Sequence, residues 1–365
     1  DGEFRIPPLP GQPIEGTDPG NPDDPTPPVC TDTNVFDWRN RHGENWMTPI
    51  RNQGGCGSCW VFAAVGAIEA RINLHYNQHL DVNLSEQDAL DQRGSEYVFW
   101  GGCNGGVPAW TMRDAQDHGL LLESCKPYPG SDPPPPGPVP PDCSQRWRIS
   151  SFNHNYSAND SIKRAVESGP ITMCIHSWGH CMVVAGYKTR TCVPGATGDY
   201  WLMKNSWGYG VSSRGYSFAD GYAWVYVDRD DIEYADYLVF ESVKGTLLSA
   251  WGPYSTPAAP PQIRCVDKDG DGYCNWGTTD VQPASCPAAC RGKGKDPNDA
   301  NAAIIGPFTC AHYGSPSCGL YTDGKGGTLS CGTCGQGTKC FDGLGDWWFP
   351  GQECVEGRCV TNPCN

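Results

Sequence analysis

Two periodicities organise the chain. Val61, Val65, Ile68 and Ile72 recur at i, i+4, i+7 and i+11, which predicts a helix with one apolar face. Gly54, Gly55 and Gly57 break the chain just ahead of it, so Cys59 falls in or near the first turn. A thiol there meets unpaired N–H groups and the positive end of the helix dipole, which favour thiolate. Ser85, ahead of Glu86, is placed to cap a second helix. Residues 169–175 alternate in the manner of a strand, and 179–187 form a second, buried one.

Composition sets the outer limits. At 365 residues the prior is two to three domains. The 46 glycines and 33 prolines, with only 18% charged residues, imply much loop. The 21 cysteines point to an oxidising, extracellular setting, and their odd number predicts one left unpaired. Net charge is −15 without a basic cluster, which argues against a nucleic-acid partner. No run approaches the ~18 apolar residues of a membrane span. The first residues have no signal-peptide pattern, so a secreted form is expected to have lost that peptide already.

Gln53 and the run Cys56-Gly57-Ser58-Cys59-Trp60 resemble the active-site signature of the papain-family cysteine proteases. Further stretches resemble that family in its order: Phe36-Asp37-Trp38-Arg39, Leu84-Ser85-Glu86-Gln87, Gly102-Cys103-Asn104-Gly105-Gly106, the segment around His180, and Tyr200 to Gly208 with its Lys204-Asn205-Ser206-Trp207. The resemblance covers residues ~35–225. It implies an α+β fold of two lobes, one helical and one β-barrel-like, with a cleft between them. It also implies Cys59 as nucleophile, His180 as acid and base, Asn205 as its orienter and Trp207 as cover for that bond. The Gln53 amide and the Cys59 N–H would form the oxyanion hole. His176 is the local rival to His180, but the apolar strand follows His180. His180 comes 121 residues after Cys59, short of the ~130–150 usual for this family, because the link from Ile175 to His180 is brief; a tight hairpin is expected there.

The same resemblance implies a Cys56–Cys103 bridge. Where relatives have a cysteine after the second helix this chain has Gln92, and a Cys125–Cys143 bridge clasping the proline-rich loop 133–141 is expected instead. Cys174 and Cys181 fall where relatives line the S2 pocket, opposite Val107 and Pro108, with Gly105 and Gly106 also on the cleft. A Cys174–Cys181 bond, with Cα atoms ~4.4–6.8 Å apart, is expected there, leaving Cys30 and Cys192 to pair; the alternative is that each bonds elsewhere. Such a pocket would take proline, valine or leucine at P2 and reject arginine.

Around this domain (30–245) the composition changes. Residues 1–29 read as a Pro/Gly-rich arm: a propeptide remnant, a surface strap or a disordered leader. Residues 246–262 read as a linker. The tail holds twelve cysteines, leaving eight besides Cys59 in the first part, so each half can close its own bridges. In 263–305, Asp267, Asp269 and Asp271 stand at alternate positions with Gly272 and Tyr273 following, as in the first half of a calcium loop. Asp296 and Asp299, with Asn298, are placed to complete the shell, and the pattern resembles the Asp-rich, cysteine-stapled repeats of thrombospondin type 3. The other reading is an acidic, solvated turn. In 306–365, a disulfide-rich module, Cys331-Gly332-Thr333-Cys334 reads as structural disulfide cysteines, and Trp347, Trp348 and Phe349 are either a binding patch or a small core. Asn83, Asn155 and Asn159 are glycan acceptors in a eukaryotic host.

The expectation is therefore a secreted, monomeric endopeptidase with protein or peptide substrates and a structural calcium ion, whose tail attaches to a cell surface or extracellular polymer. The rivals are an exopeptidase of the same family and a non-catalytic adhesion protein on the same scaffold.

Overall fold

The computed structural model describes residues 29–93, 102–129, 143, 145–155, 159–193, 197–227, 232–239, 247–249, 261–279 and 281–302, with short strands between 320 and 361. The arm before residue 29, the loop 133–141, the cysteines 331 and 334, and Phe349 lie outside them. Contacts divide the chain into two units, Asp1–Gln262 and Ile263–Asn365.

The first unit is built on α1, Cys59–Tyr76. Asn77 ends it in the left-handed region (φ 53°), returning its N–H to the carbonyls of Asn73 and Leu74. Every residue of α1 is buried. The single apolar face expected from Val61, Val65, Ile68 and Ile72 is thus only part of its buried surface. Trp60, Phe62, Ala64 and Ala67 cover other sides, and the helix runs through the interior, between the strands Ile171–Ile175 and His180–Val193 on one hand and the helices Glu86–Arg93 and Pro108–Asp117 on the other.

Helix α2, Glu86–Arg93, is capped as its sequence suggests, with Ser85 Oγ accepting the Asp88 N–H at 2.9 Å. Gln92 donates to Asp88 Oδ2 and to the Gly119 carbonyl. Helix α3, Pro108–Asp117, opens on proline at its first turn. A fourth helix, α4 (Asn159–Ser168), was not foreseen; Ile162 and Val166, four apart and buried, hold it, and Trp38 Nε1 donates to the Val166 carbonyl at 2.6 Å.

The β part is one antiparallel sheet in the order β3-β10-β4-β5-β6-β9, with β1 added on β5. These strands are β1 Val29–Asp37, β3 Ser151–Asn155, β4 Ile171–Ile175, β5 His180–Val193, β6 Thr197–Lys204, β9 Tyr222–Tyr226 and β10 Ile232–Val239; β7 Val211–Ser213 and β8 Tyr216–Phe218 form a separate hairpin. β5 is long enough to pair with β6 along one edge and with β4 and then β1 along the other. β1 can approach there because position 186 is glycine: a Cβ would lie 2.2 Å from the Phe36 carbonyl oxygen. Asp32 ties β1 down, accepting from Lys188 Nζ at 2.8 Å and Arg190 Nε at 2.7 Å. With three helices between β1 and β3 and most of the antiparallel sheet after them, the unit has the mixed α and β composition expected.

Composition had assigned residues 247–249 to the linker. They form instead β11, Leu247–Ser249, paired with β2, Gln145–Trp147, two leucines giving the segment strand character amid proline and glycine. In the second unit Cys274, Trp276, Cys286 and Cys290 form a small core, with Ile263 and Cys265 against it. The bridges Cys265–Cys286 and Cys274–Cys290 close it, which compensates for its few aliphatic residues. Trp347 and Trp348 form a short strand paired with Cys340–Phe341. Among the described residues no helix is long and apolar enough to cross a membrane.

Candidate active site

Cys59 is placed by a tight approach of two segments. Cys56 is bonded to Cys103, and Gly57 N–H donates to the Cys103 carbonyl at 3.1 Å. A Cβ at position 57 would sit 2.4 Å from that carbonyl oxygen, so only glycine fits. α1 then begins on Cys59, the one free cysteine among the described residues. The backbone N–H groups of Cys181, Trp60 and Cys59 itself lie near its sulfur. Those donors lower its pKa, as expected of a helix start, but burial is the larger effect and pushes the thiol up.

His180 opens β5, and Asn205 follows the end of β6. His180 Nε2 lies 2.8 Å from Asn205 Oδ1, and Trp207 stacks on the imidazole at 4.3 Å between centroids. Burial pushes the imidazole down to about 4, opposed by the Asn205 bond. Because Nε2 is engaged by Asn205, Nδ1 is the ring nitrogen left to exchange a proton with the sulfur. His176, the alternative, lies exposed in the turn His176–Trp178. That turn ends on Gly179 at φ 56°, the left-handed residue that brings β4 straight back into β5.

Gln53 is held from three sides. Its Nε2 donates to the Cys56 carbonyl at 2.9 Å, its Oε1 accepts from Ser206 Oγ at 2.6 Å, and its carbonyl accepts from Tyr128 Oη at 2.8 Å. Ser58 Oγ lies 2.8 Å from the same phenol. Ser206 N–H also donates to Asn205 Oδ1 at 2.8 Å. Ser206 and Tyr128 are supporting residues that sequence reasoning missed. Ser206 stood inside a recognised motif without a role, and Tyr128 carried no local signal. Beneath the site Lys204 Nζ donates to Thr48 Oγ1, which donates to Glu69 Oε2. The two ends of this buried chain, Lys204 and Glu69, line a small cavity with Cys181, Asn205 and Ser206.

Of the expected pocket residues, Cys174 and Cys181 are directly paired across β4 and β5 and are disulfide-bonded. Their Cα atoms are 3.9 Å apart, below the range expected. Val107 and Pro108 start α3, and Gly105 and Gly106 lead into it; a Cβ on Gly106 would strike the Trp60 ring. Cys125 is bonded to Cys143. Cys30 is disulfide-bonded and stands opposite Cys192 in the strand register; the Cys192 side chain lies outside the described residues.

In the tail unit Asp267, Asp269, Asp271, Asp296 and Asp299 are brought together. Tyr273 joins them through its backbone, its N–H donating to Asp271 Oδ1 at 2.7 Å. Burial, reinforced by the neighbouring carboxylates, pushes Asp296 up to about 6 and Asp299 up to about 7.

Residues 33–220 match the family model described as papain family cysteine protease. The chain is 30% identical over 199 residues to the viral cathepsin of Cydia pomonella granulosis virus, covering 50% of this chain and 56% of that protein. It is 31% identical over 211 residues to the thiol protease aleurain of Arabidopsis thaliana, covering 49% and 53%. The chain spans about half the length of these curated relatives. Among solved structures, a Carica candamarcensis cysteine protease in complex with E-64 is 24% identical, with a TM-score of 0.44 over 57% of this chain and 99% of that one.

Proposed function

The chain belongs to the papain family of cysteine proteases, and from that premise we propose that it is a secreted endopeptidase acting through Cys59, His180, Asn205 and Gln53. The observation that carries this reading is the His180 Nε2–Asn205 Oδ1 bond under Trp207, together with Cys59, the one free cysteine among the described residues, at the start of α1. It fixes the ring and leaves Nδ1 for the sulfur.

Cys59 passes its proton to His180 as the sulfur attacks the scissile carbonyl carbon. The oxygen that gains the electron pair takes hydrogen bonds from the Cys59 N–H and from the Gln53 Nε2 hydrogen not engaged by Cys56. The C–N bond then breaks, His180 gives its proton to the leaving amine, and a thioester remains on Cys59. Water, deprotonated by His180, attacks the thioester and releases the acid and the thiol.

The Cys174–Cys181 bond supports an apolar, shallow S2 pocket with Val107 and Pro108 opposite, suited to proline, valine or leucine and closed to arginine, whose charge would be buried unpaired. Five described disulfides support an oxidising compartment, and the cysteine-rich tail suits attachment to an extracellular surface or polymer. A fluorogenic peptide library tests the reading. Turnover should disappear in Cys59→Ala, and a thiol-directed epoxide should label Cys59 alone. Undiminished turnover in Cys59→Ala would refute the site, and a profile led by P2 arginine or lysine would refute the pocket.

A further inference from the structure

Peptide hydrolysis makes no use of the acidic cluster in the tail unit. Gly270 and Gly272, at φ 81° and 84°, bend the run from Asp267 to Asp271 into a loop. A backbone bridge brings the distant acid to it: Cys274 pairs with Lys295, and Asp296 N–H donates to the Cys274 carbonyl at 2.9 Å. The carboxylates then form two groups, Asp267–Asp269–Asp299 and Asp269–Asp271–Asp296, in each of which one oxygen per residue lies within 4.8 Å of the others.

The two groups are not equivalent. Asp267 uses both oxygens on the turn, accepting from Gly270 N at 2.7 Å and Gly272 N at 2.9 Å. Asp299 Oδ1 accepts from Lys268 N at 2.7 Å. In the second group each Oδ1 is engaged by a backbone N–H, that of Asp271, Tyr273 or Asn298. The Oδ2 atoms of Asp269, Asp271 and Asp296 are all buried and have no hydrogen-bond partner. Asp296 as a whole is 0% exposed. Three carboxylate oxygens gathered out of water without donors repel one another and lose their hydration, so the arrangement calls for a cation. The nearby lysines reach carbonyls: Lys293 Nζ donates to Gly272 at 2.8 Å and Lys295 Nζ to Gly277 at 2.6 Å.

We propose that Asp269, Asp271 and Asp296 bind one calcium ion through their Oδ2 atoms, with Asp267 and Asp299 framing the loop around it. The ligand set is all oxygen, with no thiol or imidazole to favour zinc or copper. Three carboxylates on one ion suit calcium, which takes six to eight oxygens in flexible geometry. Magnesium keeps much of its water and uses one or two carboxylates.

The test is calcium titration of the chelator-treated full-length chain by calorimetry, with Cys59→Ala present to prevent self-cleavage. One ion per chain should bind and raise the melting temperature of the tail transition. Asp296→Asn keeps the shape but removes the buried charge. It should weaken binding at least about tenfold and raise the melting temperature of the calcium-free protein, an effect opposite to that of a merely structural carboxylate. Asp271→Asn, at a partly exposed position, should weaken binding likewise. Absence of binding, or parent-like affinity in either variant, overturns the site; magnesium competing at equal concentration overturns the choice of ion.

Discussion

The hydroxyl of Ser206 donates to Gln53 Oε1 at 2.6 Å, while the Ser206 N–H holds Asn205 Oδ1 at 2.8 Å. One residue thus aims both the oxyanion donor and the group that orients the base. Gln53→Ala should cost ~2.7–4 kcal/mol of barrier, about 10²–10³ in kcat, because it removes a donor used only in the transition state. Ser206→Ala leaves the donor present but loosely aimed, and should cost ~1–2 kcal/mol, roughly 5–30-fold in kcat, with KM little changed. Steady-state kinetics on one peptide substrate measures both. A Ser206→Ala variant within twofold of the parent would show that Cys56 and Tyr128 aim Gln53 without it.

His180 gives a pH prediction with a definite sign. On the proposed mechanism, sulfur and ring in the parent exchange one proton and titrate as a pair, the thiolate favouring imidazolium. In Cys59→Ser no anion forms, so burial acts on the ring with only Asn205 opposing it. The imidazole should then titrate near 4, below its usual 6.5, and be neutral throughout the physiological range. NMR titration of the ring in that variant reads the value directly. A midpoint at or above 6.5 would show the ring to be solvated.

How far the site was legible in the sequence depends on how local its causes are. Three glycines before an apolar run define where α1 and Cys59 begin, and the short link after Ile175 defines the hairpin that pairs Cys174 with Cys181. A helix start reveals the donors around Cys59 but not the burial of its sulfur, which opposes them. Tyr128 reaches the Gln53 carbonyl across 75 positions, a contact that leaves no local pattern. α4 was missed because Ile162 and Val166 are a single apolar pair in a short polar segment. β11 was hidden by the proline and glycine that follow it.

Asp32 predicts a loss of stability in acid. Arg190, with Lys188, holds its carboxyl at about 2 against the ordinary 3.8. A lowered folded pKa stabilises the protein above ~3.8, and that stability is lost as pH falls through ~2. The side chain is about a third exposed, so solvent screening reduces the contribution to roughly 1 kcal/mol. Asp32→Asn should therefore melt a few degrees below the parent at pH 7 and coincide with it near pH 2. Equal melting temperatures at pH 7 would mean that the ion pairs do not hold β1 on β5.

The Cys174–Cys181 bond links residues only seven apart, so loop closure supplies at most ~2–2.5 kcal/mol. Both residues are nearly buried, on strands that β-pairing and the contacts of α1 already hold. The fold should accordingly survive replacement of both by alanine, with a modest fall in melting temperature. Specificity should change more than stability, because two sulfur atoms leave the S2 wall and the pocket deepens. A hydrophobic pocket discriminates by ~1–3 kcal/mol per methylene-sized change, so leucine and phenylalanine at P2 should gain about tenfold or more over proline and valine. Arginine should stay excluded, since neither alanine supplies a counter-charge. The ratio of kcat/KM values across a P2 series measures this directly, free of differences in active enzyme concentration. If the double variant keeps the parent's P2 ranking, the disulfide lies outside the pocket and serves only to join β4 to β5.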